Sequence, residues 1–159
     1  MNNPYVEYKG KKYEFEADFL MKREFDRERQ SEIKKCLIKS GATEKDYENF
    51  KEIQDFVSEH KEEGLELLNE EQKQILVKMF DLLDTLSLFE LYEKYCFKML
   101  EKKYNFTKQQ FSEMLEGLAE DYGISFVDTF IQKVCEKVFT QVVEKEQIKK
   151  PLPAWDWMN

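Results

Sequence analysis

The chain has 159 residues, of which 42% are hydrophobic and 14% aromatic, so it is too rich in core-forming side chains for intrinsic disorder and fits one ordinary domain. Its 25 basic and 33 acidic residues give a formal net charge of -8, which disfavours direct binding to nucleic-acid phosphates or to an anionic membrane surface. No apolar run is long enough for a membrane span and no export signal precedes the first element, so we expect a cytoplasmic protein.

The first predicted element is a β-hairpin over residues 5–15, with the sequence YVEYKGKKYEF. A two-residue turn at Gly10-Lys11 would pair Tyr8 with Tyr13 and Val6 with Phe15, so that these four side chains share one face. A two-stranded hairpin alone is marginally stable in water. Its apolar face must therefore pack on the helices or gain strands from another copy of the chain.

A first helix is predicted from Asp18, its N-cap, to about Lys39, with Gly41 as the stop signal. Its two ends are apolar, but residues 26–32 are entirely polar. Either one long helix exposes its middle to solvent, or a loop separates two short helices. Mixed charges without glycine or proline favour the single helix.

Capping patterns predict the next three helices. Thr43, with Asp46, is the predicted start of a helix whose apolar pattern ends in the charged segment 59–64. Asn69 is the predicted N-cap of the next helix. The capping box from Ser87 to Glu90 places a break near 85–87 and a further helix over about 88–103, with one uninterrupted helix over 70–103 as the alternative.

Two more helices complete the predicted fold. Thr107 and Gln110 form a capping box for the fifth, which closes at Gly123. In the sixth, apolar residues recur at spacings of three and four from 126 to 142, which predicts the central helix. We therefore predict a mainly α fold, a bundle of about five to six helices with a short N-terminal β-hairpin, in one domain over residues 1–150.

Residues 151–159 differ from the rest of the chain. Pro151 and Pro153 favour an extended path, and Trp155 and Trp157 are the only two tryptophans in the sequence. This Pro/Trp tail either folds back onto the bundle or is a peptide that another protein captures.

The sequence offers no recognisable catalytic, metal or cofactor site. His60 is the only histidine and lies in a charged stretch, and the scattered glycines build no phosphate-binding loop. The cysteines Cys36, Cys96 and Cys135 are far apart and lie in apolar helical patterns, which indicates reduced core thiols. We expect no enzyme and no cofactor.

The remaining functional indication in the sequence is apolar surface that could bind a protein partner. The candidate binding residues lie on the hairpin face and in the tail: Val6, Tyr8, Tyr13, Phe15, Leu152, Trp155 and Trp157.

Between Val6 and Phe15 the chain matches the extended segment x-φ-x-φ-[DNK]-G-K-x-Y-x-φ with which tail assembly chaperones of long-tailed bacteriophages often begin. With the acidic helical bundle that follows, the chain resembles this family. The resemblance implies a non-enzymatic oligomer in the bacterial host cell that coats the apolar helices of the tape-measure protein until tail-tube subunits replace it. The hairpin would supply contacts between protomers, and the apolar helix faces and the tail would bind the client.

The alternative function is a small acidic phage-encoded inhibitor that occupies a basic groove on a host defence enzyme, because complementary charge accelerates association. The candidate acidic patch is the run of carboxylates Glu59, Glu62, Glu63, Glu66, Glu70 and Glu71.

Overall fold

The computed structural model describes residues 2–147, and over this range the protein is mainly α, as predicted. An antiparallel hairpin of β1 (Tyr5–Tyr8) and β2 (Lys11–Glu14) precedes six α-helices of the described range. The helices are α1 (Phe19–Lys39), α2 (Glu44–Glu59), α3 (Glu70–Leu82), α4 (Phe89–Tyr104), α5 (Lys108–Tyr122) and α6 (Ile124–Gln147), with a short 3₁₀ helix over Lys61–Glu63. The predicted Pro/Trp tail lies outside the described residues.

Side-chain caps set several helix starts at the predicted residues. Thr43, Asn69 and Thr107 each accept a hydrogen bond from the backbone amide three residues on, and that residue's side chain accepts one from the cap's own amide. These reciprocal bonds satisfy amides that have no partner inside the helix. Local sequence therefore determines where α2, α3 and α5 begin.

Two open alternatives are resolved. The helix α1 runs unbroken through its polar middle, which confirms the single helix that its composition favours. A break separates α3, which ends at Leu82, from α4, which starts at Phe89, so the uninterrupted helix over 70–103 is wrong.

The predicted hairpin register is also wrong. The turn residues are Lys9 and Gly10, with φ of 49° and 76°, and Val6 pairs with Tyr13 instead of Phe15. A tight hairpin turn of this kind needs positive φ at both central positions, and glycine suits the second of them. The slip is two residues, so the same side chains still share one face, because strand side chains alternate with a period of two.

The chain forms two compact units. The first is built from the described parts of Met1–Phe25 and Phe89–Asn159, and the second is Asp26–Leu88. The boundary falls within α1, at the start of its polar run. The polar run has no apolar side chains that could be buried in the core of either unit, which explains why the division occurs there.

In the first unit α6 packs against both α4 and α5, as expected for its central helix. Its buried side chains include Ile131, Cys135 and Val138. Phe25, from the start of α1, stacks on Phe139 of α6 with ring centroids 4.5 Å apart. These contacts join α1 and α6 in one core.

The second unit has its own core, to which α1, α2 and α3 contribute Leu37, Phe50 and Met79. The turn after the 3₁₀ helix approaches α2 closely at Gly64. A Cβ atom at Gly64 would lie 2.6 Å from the backbone oxygen of Val57, closer than packed atoms tolerate. Only glycine fits there without displacing the backbone.

Candidate functional site

The hairpin packs on the helices of its own chain. Val6 is 6% exposed and Phe15 is fully buried, so these two predicted binding residues belong to the core of the first unit. Tyr13 contacts two rings near the end of α4, with centroids 5.1 Å from Tyr104 and 4.9 Å from Phe106. Tyr8 lies over α5, where its ring passes 3.4 Å from the place of a Cβ atom on Gly117.

Polar contacts hold the end of the hairpin to α4. The backbone amide of Glu14 donates a hydrogen bond to the Tyr104 hydroxyl over 2.8 Å. Lys103 forms ion pairs with Glu14 at 3.5 Å and with Glu16 at 3.3 Å. Of the four predicted hairpin residues only Tyr8 and Tyr13 keep partial exposure, and protein binding through them stays a prediction.

One exposed apolar surface of the first unit lies where α5 meets α6. Tyr122 is 66% exposed, Ile124 76% and Phe126 40%. The Tyr122 and Phe126 rings are 4.8 Å apart, and Phe126 stacks on Phe130 at 5.9 Å. With Tyr5 of β1, these residues form what we call the aromatic edge: Tyr5, Tyr122, Ile124, Phe126 and Phe130.

A groove continues from the aromatic edge along the outer face of α6. One depression of about 530 Å³ lies between Pro4 and Tyr5 on one side and Phe126 and Phe130 on the other. It adjoins a second of about 720 Å³, lined by polar residues from Lys133 to Glu144, and both are lined by Asn2, Lys133 and Lys137. We call the two depressions together the α6 groove.

The amino-terminal segment is fixed beside this groove. The buried Gln141 side chain donates a hydrogen bond from Nε2 to the Asn2 carbonyl over 3.0 Å. The Pro4 carbonyl accepts one from the Phe15 amide over 2.8 Å. The wall that Asn2 and Pro4 contribute is therefore tied to both α6 and the hairpin.

The predicted acidic patch lies wholly in the second unit, between the end of α2 and the start of α3. All six of its carboxylates are exposed: Glu59, Glu62, Glu63, Glu66, Glu70 and Glu71. The same segment exposes Leu65 and Leu67, at 59% and 54%. Lys73 pairs with Glu70 at 3.8 Å, an exposed contact that contributes little energy. The patch combines negative charge with apolar side chains.

The only histidine of the chain lies at the surface of the second unit. His60 is exposed at the end of α2, where its Nδ1 lies 2.8 Å from the Phe56 carbonyl and its ring lies over the Phe56 ring. Within residues 2–147 no cluster of three or more histidine, cysteine or acidic side chains could hold a metal ion. The absence of an enzymatic function remains a prediction.

The two innermost cysteines face each other across the α4–α6 interface. Cys96 and Cys135 are buried, with their Sγ atoms 3.7 Å apart. Burial, with the Cys135 side chain beside it, raises the pKa of Cys96 well above its usual range. A neutral buried thiol is a poor nucleophile, so this pair fits the core packing that the sequence indicates. Cys36 is partly exposed and contacts the Leu82 carbonyl.

Comparison with known proteins assigns no family: no protein-family model, no curated protein and no solved structure matches this chain. No helix among the described residues is long and apolar enough to cross a membrane. The functional argument therefore rests on the chain's own surfaces.

The sequence reasoning missed most of the aromatic edge as a surface. The apolar spacing from 126 to 142 predicts that Phe126 and Phe130 belong to the buried stripe of α6, and the sequence patterns do not mark Tyr5, Tyr122 or Ile124. A signal was present, because at 100° per residue the apolar positions from 126 to 142 spread over roughly 220° of the helix circumference. So wide a stripe exceeds the face that one core covers, and Phe126 lies at its border.

Proposed function

We propose that this protein is a non-enzymatic protein-binding protein whose binding surface is the aromatic edge. The observation that carries the proposal is the exposure of Tyr122, Ile124 and Phe126 side by side. Aromatic clusters of this kind, rimmed by polar residues, are typical of surfaces that bind other proteins.

Within that class we propose a phage tail assembly chaperone that shields apolar helices of a tape-measure protein. The hairpin resemblance supports the family, and the aromatic edge supplies a surface of suitable chemistry. An amphipathic client helix presents side chains at intervals of three and four residues to such a groove. Phe126 and Phe130, four residues apart on α6, offer rings at the matching interval.

The test is coexpression with the tape-measure protein encoded by the same genome. We expect the client to stay in the soluble fraction with the wild-type chain and to precipitate when it is expressed alone. Phe126→Asp should abolish this protection, because a charge in the middle of the aromatic edge must be desolvated when an apolar helix docks.

Val77→Asp is the matched control, because Val77 is 62% exposed on α3 in the other unit. It should protect the client as the wild type does. A genome without a tape-measure gene near this one, or equal protection by Phe126→Asp, would contradict the proposal.

The second candidate function is the acidic inhibitor of a host defence enzyme. It is favoured by one observation, the exposure of all six patch residues around the exposed side chains of Leu65 and Leu67. Binding through this patch would weaken steeply with salt, because exposed charge pairs are screened. Binding through the aromatic edge would depend on salt only weakly.

A further inference from the structure

Four side chains on the outer face of α6 form one row along the aromatic depression of the α6 groove: Phe126, Phe130, Lys133 and Lys137. At 100° per residue their positions fall within about 60° of the helix circumference. From Phe126 to Lys137 the helix rises about 17 Å at 1.5 Å per residue, which is roughly three turns. We call these four side chains the α6 row. Its first half is aromatic and its second half is basic.

The two lysines of the α6 row give the aromatic depression a local positive charge. Lys133 and Lys137 are exposed, and neither takes part in an ion pair between residues of the described range. The wall that faces them, from Asn2 to Tyr5, has no charged side chain, and no carboxylate lines the depression. The depression therefore combines aromatic rings with two cations that have no counter-charge beside them.

Two carboxylates of α6 lie near the lysines but outside the aromatic depression. Glu136 lies between the lysines in sequence, yet its position is about 60° outside the arc of the α6 row. Its Oε1 accepts a hydrogen bond from Gln132 Nε2 over 2.9 Å, on the side away from the row. Glu144 lies in line with the row, but about 10 Å beyond Lys137. Both line only the second depression of the groove.

We propose that the client of the aromatic edge is a helix whose apolar stripe continues into two acidic residues. It lies along α6 with its apolar side chains against Phe126 and Phe130. Its acidic side chains then lie against Lys133 and Lys137.

This inference rests on the proposed function, because it specifies the client of the same surface. Client side chains at intervals of three and four residues match the spacing of the α6 row. Complementary charge favours one partner and one register over others. The change from aromatic to basic along the row therefore also sets the direction in which the client helix lies.

Two synthetic helical peptides of identical composition test the inference. Each is about five turns long and carries the same apolar stripe. In the first, two glutamates continue the stripe and two lysines occupy the opposite face; in the second, these residues are exchanged. Because the peptides have the same net charge, the total of -8 on the protein does not favour either. Fluorescence anisotropy should show that the first peptide binds about tenfold more tightly, since the exchange replaces two exposed ion pairs by two repulsions.

Reversing the charge of the two lysines provides the second comparison. Lys133→Glu/Lys137→Glu should invert the preference, so that the second peptide binds more tightly. The matched control, Lys51→Glu/Lys78→Glu, makes the same change of charge on exposed lysines of the second unit and should keep the wild-type preference. Far-UV circular dichroism establishes that each variant keeps its helices.

The outcomes separate this inference from the proposed function. Equal binding of both peptides to the wild type, with loss of both in Phe126→Asp, would overturn the acidic specificity and leave the aromatic edge as the binding surface. A preference that persists in Lys133→Glu/Lys137→Glu would also overturn the inference. If neither peptide binds the wild-type chain, the proposed function and the inference are overturned together.

Discussion

The backbone amide of Glu14 and the hydroxyl of Tyr104 are joined by a hydrogen bond of 2.8 Å across 90 residues of sequence. Glu14 ends β2 and Tyr104 ends α4, so the bond ties the hairpin to the helical core of the first unit. The Tyr104 ring also packs edge-on against Tyr13, which adds an apolar contact at the same point. One side chain therefore positions the hairpin by two kinds of interaction.

Tyr104→Phe removes the hydroxyl and keeps the ring. We expect a loss of about 1 kcal/mol in the free energy of unfolding, because the Glu14 amide loses its acceptor in a partly buried place. Urea denaturation measures the loss, and amide exchange should show it first in the hairpin. Unchanged exchange at residues 11–15 would mean that the bond does not hold the strand.

Gly64→Ala should destabilise the second unit by about 1–3 kcal/mol, a typical cost for overpacking. The added Cβ would lie 2.7 Å from the Val57 Cα and 2.6 Å from its carbonyl oxygen, and backbone atoms move only with their helix. Thermal unfolding measures the loss.

Gly117→Ala is the control for that prediction. Gly117 lies within α5, and the nearest atom to an added Cβ is the edge of the Tyr8 ring, at 3.4 Å. Alanine is the better helix former, so we expect stabilisation of up to about 1 kcal/mol. If Gly117→Ala lost as much stability as Gly64→Ala, the room around the added Cβ atom would not determine the effect at either position.

Asp18 should make stability depend on pH. The hydrogen bond from Lys102, followed by the one from the Met21 amide, lowers the pKa of Asp18 below its usual value. Its contribution is therefore present above the unfolded pKa of about 3.9 and is lost as the pH falls through the lower folded pKa. Because Asp18 is largely exposed, screening keeps the contribution below about 1 kcal/mol.

The comparison variant is Asp18→Asn, which can still cap α1 but carries no charge. It should be less stable than the wild type at neutral pH, and the difference should vanish in acid. A difference that persists at pH values well below both pKa values would assign the effect of Asp18 to capping alone.

The thiols should differ in reactivity. Cys36 is partly exposed, whereas Cys96 and Cys135 are buried. We expect a thiol reagent to modify Cys36 in the native protein and the other two only after unfolding, since a reagent cannot reach a buried sulfur atom. Native modification of Cys96 at the rate of Cys36 would show that the α4–α6 interface opens readily.

Local rules account for what the sequence predicts well. Thr43, Asn69 and Thr107 define helix starts because a side-chain oxygen satisfies amides only a few residues away. The register of the hairpin is harder to predict from the sequence. It depends on whether Lys9 or Lys11 shares the turn with Gly10, and this choice also depends on what Tyr13 and Phe15 pack against.

The candidate site is only partly encoded in local patterns. Apolar periodicity shows that Val6 and Phe126 face inwards or lie near a core, but it does not show which face a neighbouring element covers. Val6 is covered within its own unit, whereas Phe126 remains 40% exposed. Tertiary packing decides the difference, so the surface of the protein follows from the sequence less directly than its helices do.

The central claim is that the aromatic edge binds an apolar helical client. Hydrogen–deuterium exchange with and without the tape-measure protein tests it most directly, because the first amides of α6, from Ile124 on, have no partner within the helix and report on anything that covers them. We predict new protection in residues 122–130 and none in residues 59–71. Protection confined to residues 59–71, which weakens as salt is added, would contradict the claim and favour the acidic patch.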